Sequence, residues 1–382
     1  MIVSRNPFYR RALAAPHNAY SRVEIWRAGI QVDELVWRDT NQRYTRGAPV
    51  FFGGNMRATL ASRVTRTLSL NVPDTLYPWD GTEILNPYGN ELRAFRGIRY
   101  GNSSPDEFQI FQGPIMKARP PRNGEAVIEA SDVTVRVSGA GFVAPLPSQV
   151  GDLVLDEFER LVLDVDPLAT FGQHGPITDR VPVLAYDSDR GAALDNLAKT
   201  ANAFWYALAD GRYVMRRVPW SVLPTAQPIE MTDGEGGVLS SAFPERGSEG
   251  IYNQFTVISE LSDGGKPIWA TAADTDPTSL TYINGPFGVR SARPVRVTGA
   301  VNQGQLLSLA QALVKRSRAR SSSWQITCVP DPSIELGDPL GIRFRSRTAL
   351  QIVAGLTIPL EPTASMSIDG RGIDPSALEE DV

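Results

Sequence analysis

The stretch Trp324-Gln325-Ile326-Thr327-Cys328-Val329-Pro330-Asp331-Pro332-Ser333-Ile334-Glu335-Leu336-Gly337-Asp338-Pro339-Leu340 sets the terms for reading the rest of the chain. Bulky and polar groups alternate from Trp324 to Val329, the pattern of a half-buried strand. Pro330 and Pro332 lack the N–H that a sheet ladder needs, so the strand ends there. Gly337-Asp338-Pro339 then turns the chain into a further extended run, Leu340 to Phe344. Upstream, Leu306, Leu309, Ala310, Leu313 and Val314 form one apolar stripe at helical spacing, which predicts a helix over 303–318. Lys315, Arg316 and Arg318 sit in its last turn, where cations suit the negative end of the helix dipole.

Composition narrows the class. At 382 residues the chain is long enough for two to four domains. A hydrophobic content of 42% with 21% charged residues is that of an ordinary globular protein and argues against wholesale disorder. The 29 Pro and 33 Gly, spread throughout, favour many turns and short strands. A net charge of −4 speaks against a general nucleic-acid-binding surface, though not against a channel that DNA passes without sticking. Of 38 basic residues only Lys117, Lys199, Lys266 and Lys315 are lysines, a bias that codon usage explains without any function. Cys328 is the single cysteine, which excludes an intrachain disulfide and a thiolate zinc cluster; on an apolar strand it reads as a small buried hydrophobe. The N-terminus lacks the apolar core of a signal peptide, and no run approaches a membrane span.

Working outward from the opening stretch, residues 1–20 read as an N-terminal arm. Val23 to Trp26 and Gln31 to Leu35 read as a hairpin about Arg27-Ala28-Gly29. Arg57 to Val72 reads as one longer alternating stretch, and Asn90 to Tyr100, Phe108 to Gly113 and Ala126 to Ser131 as further strands. Phe108-Gln109-Ile110-Phe111-Gln112-Gly113-Pro114-Ile115 suggests strand, glycine, strand at a sheet corner. Short strands at this spacing predict a barrel or sandwich. The spacing of Val150, Leu153, Val154, Glu157, Phe158 and Leu161 then predicts a helix over 148–162 with Ser148 near its cap, followed by a linker over 164–180. From Asp189, the residues Leu194, Leu197, Ala198, Ala201, Phe204 and Trp205 mark another amphipathic helix, leading to a hairpin tipped by Asp210-Gly211. Glu230 to Glu245 reads as a second linker, Ile251 to Ser259 as a strand, Asp263 to Gly288 as an exposed loop. The segment 359–382 reads as an acidic C-terminal tail.

Four of these segments together resemble the tail hub proteins of bacteriophages and related injection machines. Leu336-Gly337-Asp338 after Pro330 and Pro332 is similar to the turn that leads into a late barrel strand of that family. Val127-Ile128-Glu129-Ala130-Ser131-Asp132 resembles the end of its first barrel. The helix with Asp210-Gly211-Arg212 resembles its inserted α/β domain, and Tyr252-Asn253-Gln254-Phe255-Thr256-Val257 the strand that reopens its second barrel. The resemblance spans residues 20–350 in order. It implies a mainly β (α+β) chain: two β-barrel domains separated by a small α/β domain, with a helix packed beside the second barrel. The expected boundaries are a first barrel at 21–145, helix and linker at 146–182, α/β domain at 183–238 and second barrel at 239–358. It further implies a homotrimer at the tail tip of a virion, in contact with a distal tail protein or tail tube ring, the tape-measure protein and a central spike or fibre. Phage DNA would pass through without specific binding. A glycan-binding or glycan-cleaving tail protein, or a hexameric distal tail protein, are the alternatives.

Catalytic, metal-ligating and cofactor-binding residues are not expected. His17 and His174, the two histidines, have no metal spacing between them. Asp331, Glu335 and Asp338 cluster around one turn and raise the question of a glycosidase pair, but side-chain to backbone bonds within the turn account for them. The residues singled out are therefore structural: Pro330, Pro332, Gly337 and Asp338 at the turn, and Asp210 and Gly211 at the hairpin. Trp79, Trp269, Arg316 and Arg320 are candidate subunit contacts.

Overall fold

Alternating burial builds the first group of strands in the computed structural model, which describes residues 9–38, 49–100, 106–187, 189–217, 228–245, 247–260, 267–298, 302–321, 323–345 and 347–372. After a short helix α1 (Tyr9–Leu13) come β1 (Asn18–Arg27), β2 (Ile30–Trp37), β3 (Val50–Phe51), β4 (Gly53–Thr59), β5 (Arg66–Pro73), β6 (Asn90–Arg99), β7 (Asp106–Arg122) and β8 (Glu125–Ser131). Val23 and Ile25 of β1, Leu68, Leu70 and Val72 of β5, and Ala126, Ile128 and Ala130 of β8 point inward at every second position. The neighbours run β4-β5-β8-β7-β6-β1-β2-β3. β2 pairs in parallel with β3, and β3 continues through Phe52, whose N–H bonds Asn71, into β4. The order therefore returns to where it began. What reads in sequence as one run, Arg57 to Val72, is two strands and a turn. β7 pairs β6 as far as Pro114 and β8 from Ile115 onward. Gly113 sits at that change of partner, where a Cβ would lie 1.9 Å from the Ser131 carbonyl oxygen, so only glycine fits.

The middle of the chain has its own core. Helix α2 (Thr134–Ser138), β9 (Leu146–Pro147), α3 (Val154–Leu163), β10 (Ala185–Tyr186), α4 (Arg190–Thr200), β11 (Ala203–Ala207) and β12 (Tyr213–Arg217) enclose Val137, Phe158, Leu161, Leu194, Leu197, Trp205 and Met215. Three expectations change here. Helix α4 stops at Thr200, and Phe204 and Trp205, expected on it, lie on β11 paired with β12. Helix α3 begins at Val154 with Leu153 as its cap, not at Ser148. The Ser148 hydroxyl instead donates to the Pro182 carbonyl and accepts from the Leu184 N–H, tying two extended segments together. The expected linker 164–180 packs into this core through Ile177, with Val181 just beyond it, so it is part of the unit and not a tether.

The last part returns to the large sheet. It holds β13 (Ile229–Thr232), β14 (Leu239–Pro244), β15 (Gln254–Glu260), β16 (Ile268–Ala273), β17 (Val295–Thr298), α5 (Gln303–Arg320), β18 (Trp324–Cys328), β19 (Pro339–Phe344), β20 (Arg347–Pro359) and β21 (Met366–Gly372). The neighbours run β14-β18-β21-β20, with β19 on β20 and β13 parallel to β19. β20 changes partner along its length: Arg347–Ile352 register with β19, Gly355–Pro359 with β4. β4 thus lies between β5 and β20, and one hydrophobic core runs from Val23 and Ile25 to Met366 and Ile368. The chain is mainly β, 45% strand against 16% helix.

Four further expectations are corrected. The tail expected from residue 359 holds β21, paired on both sides, with Leu360, Met366 and Ile368 buried; residues 373–382 lie outside the described residues. Glu230–Glu245, expected as a linker, carries most of β13 and all of β14, and the loop expected at 263–288 contains β16, residues 261–266 lying outside the described residues. Of the arm expected at 1–20, residues 1–8 lie outside the described residues. Tyr9 and Leu13 are buried, and β1 already starts at Asn18. The helix of the opening reading is α5, closed by a capping box between Asn302 and Gln305. Its stripe packs on the three-stranded sheet β16-β15-β17, through Val257, Ala270 and Val297, while Ala319, in the last turn, packs with Ile352 and Ala354 of the large sheet.

Candidate functional site

Arg66, at the start of β5, is 1% exposed and lies where three parts of the molecule meet. Its guanidinium is paired with Glu335 from the Pro330–Pro339 turn. Nε and Nη1 also point to the carbonyls of Ala207 on β11 and Ile110 on β7, each at 3.5 Å. A buried charge must be paired and hydrogen-bonded to be tolerated. Arg66 therefore holds the first strand group, the middle unit and the last strand group in one relative position.

The surrounding polar groups are arranged to hold Arg66. Asp132, fully buried at the end of β8, accepts from the Arg66 N–H at 2.7 Å, the Thr65 hydroxyl at 2.8 Å and the Thr134 N–H at 3.0 Å. Burial pushes the Asp132 carboxyl above its ordinary range, while the bonds from Thr134, Thr65 and the Arg66 backbone oppose that. Tyr206 lies close by with its hydroxyl accepting from Arg216 at 3.1 Å; burial pushes its pKa up to about 12. The hairpin between β11 and β12 reaches the same region: Gly211 has φ +80° and a Cβ there would lie 2.8 Å from the Gln112 side chain of β7. Asp210 pairs with Arg212 at that tip.

The turn residues serve the same junction. Gly337 has φ +85° and donates its N–H to Val353; the Val353 N–H returns to the Asp338 carbonyl. Asp338 Oδ2 accepts from the Glu335 N–H at 2.9 Å. Asp331 Oδ1 accepts from the N–H and hydroxyl of Ser333 at 3.0 and 2.6 Å, and burial raises its pKa. Pro330 and Pro332 flank Asp331 and end the β18 ladder at Cys328. All three carboxylates are buried and engaged in the turn or with Arg66, so they do not flank a cleft open to a glycan.

The expected contact residues do not gather at the junction. Trp79 is 73% exposed in the turn after Leu76, with its ring edge-on to Tyr77 at 4.8 Å. Trp269 is exposed on β16. Arg320 lines a groove of about 580 Å³ with Trp324, Asp369 and Arg371 at the end of α5. Arg316 lies near it, half-buried; burial and then Arg320 push its pKa down. Neighbouring Arg318 instead turns to Asp274 and Asp276, so the basic run serves more than the helix dipole. His174 accepts the Met215 N–H at Nδ1 and faces Glu159 through Nε2 at 3.1 Å, fastening β12 to α3. His17 bonds the Ala15 carbonyl. Among the described residues, no group of three or more His, Cys, Asp or Glu could hold a metal ion, and no helix is long and apolar enough to cross a membrane.

Sequence reading passed over Arg66, because one arginine at the start of a strand reads as a surface charge. Asp132 stood at the end of a quoted motif, and its burial could have been suspected from Thr65 and Thr134, two hydroxyls with no apolar duty. Asn253 is similar. It is fully buried, donates to the carbonyls of Thr281 and Gly288, and accepts from the Arg290 N–H, so it holds the Asp274–Ser291 segment against β15.

No known family and no curated protein matches the sequence. Solved structures do. A tail protein from Neisseria meningitidis matches with a TM-score of 0.62 at 12% identity over 94% of this chain and 99% of that one. The 43 kDa tail protein of prophage MuSo2 from Shewanella oneidensis matches at 0.55 and 12% identity, over 94% and 100%. Prophage tail protein gp18 from Listeria monocytogenes matches at 0.54 and 9%, over 94% and 97%. The chain therefore has the fold of phage tail proteins nearly from end to end, at identities where only the fold is shared.

Proposed function

We propose that this chain is a structural subunit of a phage-type tail, the hub at its tip, and that it works by assembly and not by catalysis. The observation that carries this reading is that the fold of three tail proteins of nearly equal length extends over 94% of the chain, with Arg66 locking its parts together. A shared fold alone does not fix function. Here, however, the three carboxylates that could have argued for an enzyme are consumed by a structural turn.

On this reading the first strand group, residues 21–131, and the last, with its strands now extended to Gly372, are tandem barrels, and residues 133–217 are the unit between them. Three copies form a ring, so two barrels per chain give six positions facing a sixfold tube or distal ring. The opposite side holds a threefold spike or fibre, and the tape-measure protein ends in the lumen until DNA leaves. An acidic lumen would repel phosphates and keep passage fast. Mass measurement of the purified chain under native conditions tests the assembly: a trimer supports the hub, a hexamer points to a distal ring, and a monomer that degrades cell wall overturns the structural reading.

A further inference from the structure

Three arginines converge where the end of α5 meets β21. Arg316 and Arg320 stand four apart on α5, so they share one face of the helix. Arg371, on β21, feels both: burial, then Arg320, then Arg316 push its pKa down to about 10, and the opposing pull of Asp369 is weaker than either arginine's push. Arg320 and Arg371 line the groove of about 580 Å³ together with Trp324. Glu245, Glu249 and Asp369 line it too, but all three are exposed, where water screens them, while Arg316 and Arg371 are half-buried. At the arginine end, positive charge therefore outweighs negative.

The chain carries a matching segment at that end. β21 stops at Gly372, directly after Arg371, and the sequence continues Ile373-Asp374-Pro375-Ser376-Ala377-Leu378-Glu379-Glu380-Asp381-Val382, with four acids and no base in ten residues. Seven residues from Gly372 to Glu379 reach about 23–25 Å when extended, ample for a groove of this volume. We infer that the groove is the docking site of this acidic segment of the same chain, with Glu379, Glu380 and Asp381 against Arg316, Arg320 and Arg371. Guanidinium and carboxylate groups form paired, charge-assisted hydrogen bonds. Trp324 supplies an apolar wall, and Leu378, next to the acids, is the side chain to cover it. Attachment at Gly372 makes docking intramolecular, so a contact that is weak between separate molecules is occupied here. Another acidic peptide enters the groove only by displacing this one. The inference is independent of the ring proposed above.

The test uses the full chain with Arg320→Lys, which keeps the charge and places an amine in the groove. Carbodiimide then joins that amine only to a carboxylate in direct contact, and the linked peptides are identified by mass after digestion. Arg293→Lys, at an exposed position before β17, is the comparison, and thermal unfolding checks that both variants fold. Each variant is mixed with a nitrogen-15 copy of itself, so that links within one chain differ in mass from links between chains. The expected result is a link from position 320 to Glu379, Glu380 or Asp381, within one chain, absent from position 293. It should be lost in about 1 M salt, where screening acts over roughly 3 Å. Links from position 320 to Glu245, Glu249 or Asp369 alone, or no link at all, overturn the docking site. So does an equal yield at both positions, or a yield that salt leaves unchanged. Links between labelled and unlabelled chains overturn docking within the chain.

Discussion

At the scale of single residues, the pair Arg66–Glu335 has the most to lose. Removing one partner of a buried ion pair strands the other charge, which costs about 3–5 kcal/mol. Glu335→Gln should lower unfolding free energy by that order in a denaturant titration, whereas Arg66→Met with Glu335→Leu should cost much less. A single-variant loss below about 1 kcal/mol would mean that Arg66 is solvated after all. Asp331 gives a pH signature of the opposite sense. Its carboxyl is raised above the ordinary 3.8 by burial, so the folded state keeps its proton after the unfolded state has lost it. Below the ordinary value both states are protonated and nothing is gained or lost. As pH rises from there the folded state binds more protons than the unfolded, so stability falls until the raised pKa is passed, and the penalty then stays. Asp331→Asn, which keeps an oxygen for Ser333, should therefore be neutral near pH 3.5 and stabilising at pH 7. The gain should be about 1.4 kcal/mol for each unit of displacement. Unfolding curves at the two pH values decide it.

At the scale of elements, glycine and capping positions set where strands and helices begin and change partner. Gly113→Ala would drive a methyl into the Ser131 carbonyl at the point where β7 leaves β6 for β8. A loss of about 1–3 kcal/mol is expected, with disturbed amide signals in β7 and β8 but not in α5. Asn302→Ala should cost about 1 kcal/mol by opening the α5 capping box, and Asn302→Asp should restore most of it. These positions have different legibility. The α5 stripe was readable because five apolar residues keep one period. The sheet it packs on was not, because Trp269 and Thr271 on β16 face outward while Ala270 and Ala272 face α5, and two alanines leave a weak apolar signal.

For the whole molecule, the decisive fact is that one core joins the two ends of the chain. Met366 and Ile368 on β21 pack in the same cluster as Val23 and Ile25 on β1. A chain ending at residue 358 would expose the edges of β18 and β20 and lose Leu360, Met366 and Ile368 from the interior. It should fail to give soluble folded protein, while a chain ending at 372, which keeps β21 whole, should remain folded by circular dichroism. Equal behaviour of the two truncations would contradict the place given to β21.

Local chemistry by itself determined the strand ending at Pro330, the Gly337-Asp338 turn, the Asp210-Gly211 hairpin and helix α5. Each depends on the φ of glycine, the missing N–H of proline or a sustained apolar period, all properties of a few consecutive residues. The mainly β class was legible for the same reason. Tertiary structure alone decided that β13, β14 and β21 are strands: they hold only two or three large apolar residues each, and partners distant in sequence supply their hydrogen bonds. It alone decided that Arg66, Asp132 and Glu335 share one buried site, because no local pattern encodes the meeting of residues 269 positions apart. The turn that opened the reading was thus visible in sequence as a turn. Its use as the third wall of a charged junction was not, since burial is a property of the packed molecule.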